Sequence, residues 1–359
     1  MNNQAYFRCR QRIWSEESWS DVEPTQQHTE EWSTNLVALF AEAMDLQEDE
    51  FSPYEYLTAT LARFQRRKLT LESDAINAMS GILQRVAHLA RTTLLEGLPV
   101  TVFPLMLIFL HIGTQNEGGV RRRHDFPSWS WAGWTGLPTW HAFNRLDLYR
   151  NPENFLDWPN TRSWIVWFAS RNGSCPELLW KPGDAVSRGD ASSSPSSPQR
   201  TAHHGKPETP QLDVSAITPS SKQPAMPYAI LTFFTVTVTL TVRLAKPLRI
   251  ENHGSVLTLF SLHDVDGTLC GYLYPDGELP PAPDDRYEFI LLSECYNVEF
   301  PIASMGGDDP ADTRLLYWIM LVVWTTGHVY ERRGVGHVLH EALQKPFDPG
   351  PQWKEIALG

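Results

Sequence analysis

The stretch Thr235-Val-Thr-Val-Thr-Leu-Thr-Val242 alternates apolar and hydroxyl side chains without a break. Because successive side chains of a strand point to opposite faces, this pattern predicts a β-strand with its threonines facing outward. Downstream, Asp264-Val-Asp-Gly267 predicts a hairpin turn at Asp266 and Gly267 rather than a calcium loop, which would need further oxygen ligands.

Other runs with strand character lie on both sides of that turn and further along the chain. Several short strands joined by turns favour an antiparallel sheet or sandwich. The predicted strands lie at 255–263, 268–274, 287–293, 315–324 with a continuation at 329–332, and an edge strand at 353–358. A short helix is predicted at 337–344, after Gly334 and Gly336.

The first part of the chain has helical periodicity instead. Leu57, Leu61 and Phe64 recur at helical spacing after Pro53 and predict a helix. Thr70 is predicted to cap a second helix. The apolar stripe of that second helix consists of Ile76, Met79, Leu83 and Val86. The predicted fold class is α+β, with a helical N-terminal part followed by a mainly antiparallel β sheet or sandwich.

Residues 181–227 are rich in serine and proline and poor in residues that build a core. This composition predicts a disordered insertion. The predicted organisation is a helical segment at 1–120, a tryptophan-motif segment at 121–180, the insertion at 181–227 and an antiparallel β domain with a short C-terminal helix at 228–359.

Charge and cysteine usage restrict the class of protein. The 359 residues carry a formal net charge of −12, which argues against a nucleic-acid partner. Cysteines occur only at Cys9, Cys175, Cys270 and Cys295, without metal-binding spacing. With no secretory signal in view, this usage favours a reducing, cytoplasmic compartment, and we expect no cofactor and no metal.

One apolar run, at residues 98–112, has some resemblance to a membrane span. It contains Pro99 and Pro104 and falls short of the roughly 20 residues that a bilayer requires. The run therefore predicts a buried helix, and we expect no membrane partner.

Three tryptophans stand close together in Phe126-Pro-Ser-Trp-Ser-Trp-Ala-Gly-Trp-Thr-Gly136. If this segment is extended, Trp129 and Trp131 lie on one face and Ser128 and Ser130 on the other. Indole rings are costly to expose, so the first interpretation is a buried aromatic wall.

That first interpretation gives the motif a structural role. Its residues are Phe126, Pro127, Ser128, Trp129, Ser130, Trp131 and Gly133. The second interpretation is an exposed platform that stacks a sugar or a nucleotide, because a basic run directly precedes the motif. The ligand contacts would then be Trp134, Arg121, Arg122 and Arg123.

Catalytic motifs are missing from the sequence. It contains no G-x-S-x-G elbow, no Walker loop and no H-E-x-x-H helix. An acidic run at 16–23 and the adjacent pair His203 and His204 are interpreted as solvated. The residues alone therefore predict no catalytic site.

The segment Pro127-Ser-Trp-Ser-Trp-Ala-Gly133 resembles the hallmark found downstream of the HET domain in fungal heterokaryon-incompatibility proteins. Stretches at 6–10, 13–16, 69–83, 97–99, 331–336 and 353–359 resemble other parts of the same family. The resemblance covers nearly the whole chain apart from 181–227.

The resemblance implies a sensing, scaffolding or autoinhibitory region that acts in nonself recognition and regulated cell death. It implies a protein partner, either an HET-type effector or an incompatibility partner. Family members carry an N-terminal HET domain with Leu-Ser-Tyr-x-Trp-Gly and Trp-Ile-Asp-x-Leu-Cys-Ile-Asn-Gln segments, and neither segment occurs here. We therefore expect the nucleotide-cleaving activity of a TIR-like domain to be missing. The alternative is a small-ligand binding module that uses the tryptophan motif.

Overall fold

The computed structural model describes residues 6–8, 13–15, 52–65, 69–112, 119–140, 153–183, 219, 223–244, 248–250, 255–257, 259–296 and 315–359. These residues belong to two compact units, Met1–Phe51 and Ser52–Gly359. In the first unit, β1 (Tyr6–Arg8) pairs antiparallel with β2 (Ile13–Ser15). The other described elements belong to the second unit. Most of the predicted insertion at 181–227 lies outside the described residues.

The described α-helices are α1 (Pro53–Phe64), α2 (Ala75–Ala78), α3 (Ser80–Leu89), α4 (Phe103–Met106) and α5 (Glu153–Arg162). Helix α1 confirms the first predicted helix. The Ser52 hydroxyl accepts a hydrogen bond from the Tyr54 backbone N–H at 3.3 Å, and Pro53 presets the first helical φ. The predicted apolar face of α1 is buried.

The second predicted helix is broken into three pieces. A 3-10 helix (Glu72–Asp74) precedes α2, and Met79 separates α2 from α3 with φ −98° and ψ 0°. Leu71, rather than Thr70, occupies the N-cap position and makes no side-chain capping bond, so the predicted cap is wrong. Met79, Leu83 and Val86 are nevertheless buried on one side, as their spacing predicts.

The apolar run at 98–112 does not form one helix. It contains β4 (Leu98–Pro99), the single turn α4 and β5 (Leu110–Ile112), because prolines interrupt the backbone hydrogen bonding of a longer helix. Its burial is as predicted, since residues 102–110 are all buried. No helix in the described part of the chain combines the length and the apolar character needed to cross a bilayer.

The remaining strands are β3 (Leu94–Leu95), β6 (Leu137–Thr139), β7 (Trp167–Ser170), β8 (Glu177–Trp180), β9 (Ile230–Leu244), β10 (Leu248–Ile250), β11 (Ser255–Leu257), β12 (Phe260–His263), β13 (Leu269–Pro275), β14 (Arg286–Tyr296), β15 (Leu315–Trp324), β16 (Tyr330–Leu339) and β17 (Gln352–Leu358). Strands β12, β13, β16, β15, β14 and β9 pair antiparallel in that order, and β12 pairs back with β9. These six strands therefore close into a ring. The predicted α+β class with a mainly antiparallel sheet is confirmed.

Two hydrophobic clusters use opposite faces of the same strands. Val236, Val238 and Leu240 belong to the inner cluster, together with Phe289 and Leu291 of β14. The outer cluster joins Ile290 and Leu292 of β14 to helices α1 to α4, which together form a helical layer. The ring is thus filled on the inside and covered by the helical layer on part of its outside.

Two threonines of β9 face outward from the ring, as predicted, but they are not exposed to solvent. Thr235 and Thr237 are buried, because the outer face of this part of β9 is also covered. Thr237 lies opposite Ile290, whose side chain belongs to the outer cluster. The Thr235 hydroxyl is satisfied by donating to the Leu291 carbonyl at 2.5 Å.

The turn predicted at Asp266 and Gly267 is confirmed, whereas the helix predicted near the end of the chain begins later than predicted. Asp264 accepts hydrogen bonds from the Asp266 and Thr268 backbone N–H groups and holds the turn between β12 and β13, as predicted. The helix predicted at 337–344 is confirmed only as a 3-10 helix (His340–Gln344), because Gly334 and Gly336 continue β16.

The predicted strand at 353–358 exists as β17, but it is not at an edge. It runs antiparallel to β9 over its whole length and meets β16 in a parallel bridge at Tyr330 and Leu358. It therefore lies between β9 and β16. Strands β7 and β8 extend the sheet from β9 on another side.

Candidate functional site

The tryptophan motif lies where the helical layer, the ring and β17 meet. It is not the extended segment that the alternation predicts. Residues 128–129 form a turn, and a 3-10 helix (Trp131–Gly133) follows, with the Ser130 hydroxyl accepting from the Ala132 N–H at 3.1 Å. Pro127 and Gly133 make this fold-back compact, since a Cβ on Gly133 would lie 2.3 Å from the Pro127 carbonyl oxygen.

All three indole rings of the motif are buried. Trp129 and Trp131 are 0% exposed and Trp134 is 1% exposed. The Trp131 Nε1–H donates to the Gly97 carbonyl at 3.1 Å, and the Trp134 Nε1–H donates to the Ser128 carbonyl at 2.7 Å. The second interpretation requires exposed rings, and these rings do not meet that condition.

Two of the indole rings pack against different helices of the helical layer. Trp131 meets Phe64 of α1 edge-on, with ring centroids 6.1 Å apart. Trp129 meets Phe103 of α4 edge-on at 5.8 Å. The motif therefore fixes two helices at once, which is the role of an aromatic wall.

Ser128 and Ser130 connect the motif to distant segments. Both the backbone N–H and the hydroxyl of Ser128 donate to the Gly359 carbonyl. The same hydroxyl accepts from the Arg332 backbone N–H at 2.8 Å. Ser130 donates to the Glu96 carbonyl at 2.7 Å. The two serines are buried hydrogen-bonding groups, not surface groups.

The three arginines before the motif have separate environments. Arg121 is exposed and pairs with Glu72, whose pKa this contact lowers. Arg122 donates from Nε to Glu331 at 2.6 Å and from Nη2 to the Phe126 carbonyl at 2.7 Å. The structure therefore does not bring the three guanidinium groups together as one anion-binding surface.

Arg123, the third of these arginines, is buried. Its Nη1 donates to the Trp134 carbonyl at 2.7 Å, and its Nη2 donates to the Gln65 side chain at 3.4 Å. These bonds join the motif to the end of α1. Arg123 thus holds the backbone of the motif against α1 and does not reach into solvent.

A buried charge network that the sequence did not predict lies behind the motif. It consists of Arg332 from β16, Asp276 from the end of β13 and His111 from β5. Arg332 Nε donates to Asp276 Oδ2 at 2.6 Å, and His111 Nδ1 donates to Asp276 Oδ1 at 2.6 Å. All three side chains are 0% exposed.

The remaining donors of Arg332 bind backbone carbonyls of the helical layer. Nη1 donates to the Leu107 carbonyl at 2.7 Å, and Nη2 donates to the Phe109 carbonyl at 2.5 Å. The guanidinium carbon also lies 3.7 Å from the centroid of the Phe109 ring. The Arg332 side chain, which comes from β16 in the ring of strands, thus holds the backbone between α4 and β5 in place.

The network has one charged pair and one neutral imidazole. Burial raises the pKa of Asp276, but Arg332 and His111 outweigh burial and bring that pKa below its ordinary value of 3.8. Burial lowers the pKa of His111, and Asp276 opposes this shift without reversing it. His111 Nε2 has no hydrogen-bond partner among the described residues, which also favours the neutral ring because an unpaired N–H⁺ is costlier to bury.

This network stabilises the fold, and none of its three side chains is accessible to a substrate in the conformation described. Every Arg332 nitrogen already donates inside the protein, and no atom of the three side chains reaches solvent. The described residues contain no group of three or more His, Cys, Asp or Glu side chains suited to a metal. The acidic run at 16–23 and the pair His203 and His204 lie outside the described residues.

An open groove of about 280 Å³ lies between α1 and β6. Its lining includes Glu55, Thr58 and Trp140. Burial raises the pKa of Glu55, and the Trp140 Nε1–H is already used by the Met106 carbonyl at 3.1 Å. The groove does not include the tryptophan motif.

Sequence reasoning missed the charge network because its members come from three separate segments. Arg332 stands in an ordinary basic run, and Asp276 precedes a turn glycine. Neither position signals burial.

Comparison with family models, with curated proteins and with solved structures finds no match for this chain.

Proposed function

We propose that this chain is a scaffolding and autoinhibitory region of a fungal heterokaryon-incompatibility protein. It presents a rigid surface to an HET-type effector or to an incompatibility partner. The observation that carries the proposal is the position of the segment that resembles the family hallmark. Through Ser128 and the buried indoles, that segment joins the helical layer to the ring and to Gly359.

A scaffolding role fits the way in which polar side chains are used. The buried Arg332, Asp276 and His111 side chains are engaged with one another and with backbone carbonyls. Such networks fix the relative position of the elements that they join. Losing one member is destabilising, because it leaves a buried charge without its partner. A module of this kind holds its surface in one shape, as a docking partner requires.

A protein partner in the cytoplasm is part of the same proposal. The net charge of −12 is unfavourable for a nucleic-acid partner. The described cysteines, Cys175, Cys270 and Cys295, are free thiols, which agrees with a reducing compartment.

The test is expression of the full chain together with a complete HET-type effector in a fungal host. We expect the chain to lower the toxicity of the effector and to co-purify with it. The matched variants are Asp276→Ala, which disrupts the buried network and abolishes both effects, and Gly81→Ala on the exposed face of α3, which retains them. Unchanged toxicity together with an absence of co-purification would remove the support for this function.

A further inference from the structure

A serine and a histidine of β12 are hydrogen-bonded to each other, away from the tryptophan motif. The Ser261 hydroxyl oxygen lies 3.0 Å from His263 Nε2. Both residues are half-buried, whereas Leu262 between them is buried in the inner cluster of the ring. The two polar groups can therefore be reached from solvent.

A third group fixes the orientation of the imidazole ring. His263 Nδ1 lies 3.0 Å from the Gly267 carbonyl oxygen, and a carbonyl oxygen only accepts hydrogen bonds. In the neutral ring, Nδ1 must therefore carry the proton and Nε2 keeps its lone pair. That lone pair faces Ser261, whose hydroxyl donates to it.

The Gly267 carbonyl is itself held in place by a tight turn. The Gly267 N–H donates to the Asp264 backbone carbonyl at 3.0 Å, and the Thr268 N–H donates to the Asp264 carboxylate at 2.9 Å. The pairing of β12 with β13 also has a bulge between Leu262 and His263, and bulges of this kind re-aim side chains. The histidine is therefore oriented by the fold before any ligand arrives.

A second acceptor competes for the Ser261 proton. The Arg243 carbonyl oxygen on β9 lies 3.2 Å from the same hydroxyl oxygen. The imidazole nitrogen is nearer and is the stronger base, so it takes the hydrogen bond while the ring is neutral. The hydroxyl oxygen thus stays in one position between two groups that are both fixed to the ring of strands.

A hydroxyl that donates to an imidazole, which a third group orients in turn, is the arrangement that activates a serine as a nucleophile. We propose that Ser261 and His263 form a nucleophilic dyad that takes an acyl group from an ester. The reaction needs neither an effector nor an incompatibility partner, so it is independent of the function proposed above.

The proposed reaction has two steps. In the first, Ser261 Oγ attacks the ester carbonyl carbon while its proton passes to His263 Nε2. The bond from that carbon to the alcohol oxygen breaks, and the alcohol leaves with the proton from Nε2. In the second, water attacks the acyl carbon, a proton returns to Oγ through Nε2, and a carboxylic acid is released.

The first test is labelling of the purified full chain with a fluorophosphonate, which bonds to activated serines and releases fluoride. Mass spectrometry of the digested protein gives the rate at each serine. Ser261 is expected to react at least about tenfold faster than Ser174, because a general base contributes about 10²–10⁴-fold. Ser174 is the internal control, since it is exposed, its oxygen accepts from the Arg171 N–H at 3.1 Å, and no histidine of the described residues bonds to it.

Two variants separate the base from the fold. His263→Gln removes the base and is expected to slow the labelling of Ser261 at least about tenfold while Ser174 keeps its rate. The matched control His88→Gln, on the exposed side of α3, is expected to change neither rate. In concentrated urea the preference for Ser261 over Ser174 is expected to disappear, because it depends on the folded turn.

Acyl transfer is measured with para-nitrophenyl acetate. The unmodified chain is expected to release para-nitrophenolate and to carry an acetyl group on Ser261 at early times. Ser261→Ala is expected to lose most of that release, whereas Ser174→Ala is expected to keep it. Circular dichroism and the unfolding midpoint show that each variant keeps the fold of the unmodified chain.

Three results would overturn the dyad. One is labelling of Ser261 no faster than that of Ser174 in the unmodified chain, which requires no variant to fold. Another is an undiminished rate at Ser261 in a folded His263→Gln variant. The third is release of para-nitrophenolate by Ser261→Ala at the rate of the unmodified chain.

Discussion

Arg332 and Asp276 form a salt bridge with no solvent contact, with 2.6 Å between Nε and Oδ2. The pair spans neighbouring strands of the ring, and Arg332 continues from it to the carbonyls of Leu107 and Phe109. The Asp276 N–H also donates to the Arg333 carbonyl at 2.8 Å, so the carboxylate is fixed from its own backbone.

Removing both partners of this pair should cost less than the sum of the two single removals. Asp276→Ala leaves a buried guanidinium without its counter-charge, and we expect the free energy of unfolding to fall by about 3–5 kcal/mol. The double variant Asp276→Ala with Arg332→Met should lose clearly less than the sum of the two single variants. Urea unfolding measures this cycle. Lys345→Ala, which removes the exposed partner of Asp266, serves as the control and should leave the midpoint unchanged. Additive losses in the cycle would contradict a coupled buried pair.

Acid should destabilise the protein through a second buried histidine. His337 lies on β16 between Tyr272 and Trp318 of the neighbouring strands, and burial lowers its pKa from 6.5 to about 3. Between these two values the unfolded chain binds a proton that the folded chain does not. The free energy of unfolding should therefore fall as the pH drops below 6.5, by about 1.4 kcal/mol per pH unit for this group.

Urea unfolding at a series of pH values between about 4 and 7 tests this dependence. His337→Gln should reduce the slope, whereas His88→Gln on the exposed side of α3 should not. His111 acts in the same direction, because its pKa is also lowered by burial. Asp276 adds a further loss only below its ordinary value of 3.8, where its lowered pKa is approached. An unaltered slope in His337→Gln would contradict a neutral, buried ring.

Two tryptophans of opposite exposure provide a matched comparison. Trp131→Ala removes a ring that is 0% exposed and its hydrogen bond to Gly97, so we expect a loss of about 3–5 kcal/mol. Trp324→Ala removes a ring that is 56% exposed, and its loss should be much smaller. Denaturant unfolding at constant pH measures both. Equal losses would contradict the packing of the motif against α1.

Two glycines should respond to alanine with opposite signs. Gly97 has φ +81°, and a Cβ there would lie 2.7 Å from Trp131 Nε1, so Gly97→Ala should lower the melting temperature. Gly81 lies in the first turn of α3, and a Cβ there would have no atom within 4 Å, so Gly81→Ala should stabilise by roughly 0.4–1 kcal/mol by restricting the unfolded chain. Differential scanning calorimetry gives both signs. Stabilisation by Gly97→Ala would mean that the Trp131 ring is not fixed there.

Local patterns predicted much of the fold because they reflect local physics. The alternation in β9, the turn at Asp264 and the helical spacing of Leu57, Leu61 and Phe64 each depend on neighbouring residues, and the class of fold follows from such patterns. The burial of Thr235 and the inserted position of β17 depend on what covers the sheet, which no local pattern contains.

The candidate site could be predicted only in part, for a similar reason. Indole hydrophobicity predicted an aromatic wall, and the three rings are buried as such a wall requires. The fold-back at Ser130 depends on contacts with Glu96 and Gly133, so the assumption of an extended segment was wrong. The charge network brings together three separate segments, and no sequence signal marks Arg332 and Asp276 as buried.

The bond between Ser128 and Gly359 joins residues 231 positions apart, and the bond from Arg332 to Leu107 spans 225. A ribosome that adds about 5–20 residues per second needs roughly 10–45 seconds to make that intervening stretch. During that interval the indoles have emerged but the strands that cover them have not. Productive synthesis of this protein should therefore depend on chaperones that shield nascent aromatic surface, more than on the speed of any single folding step.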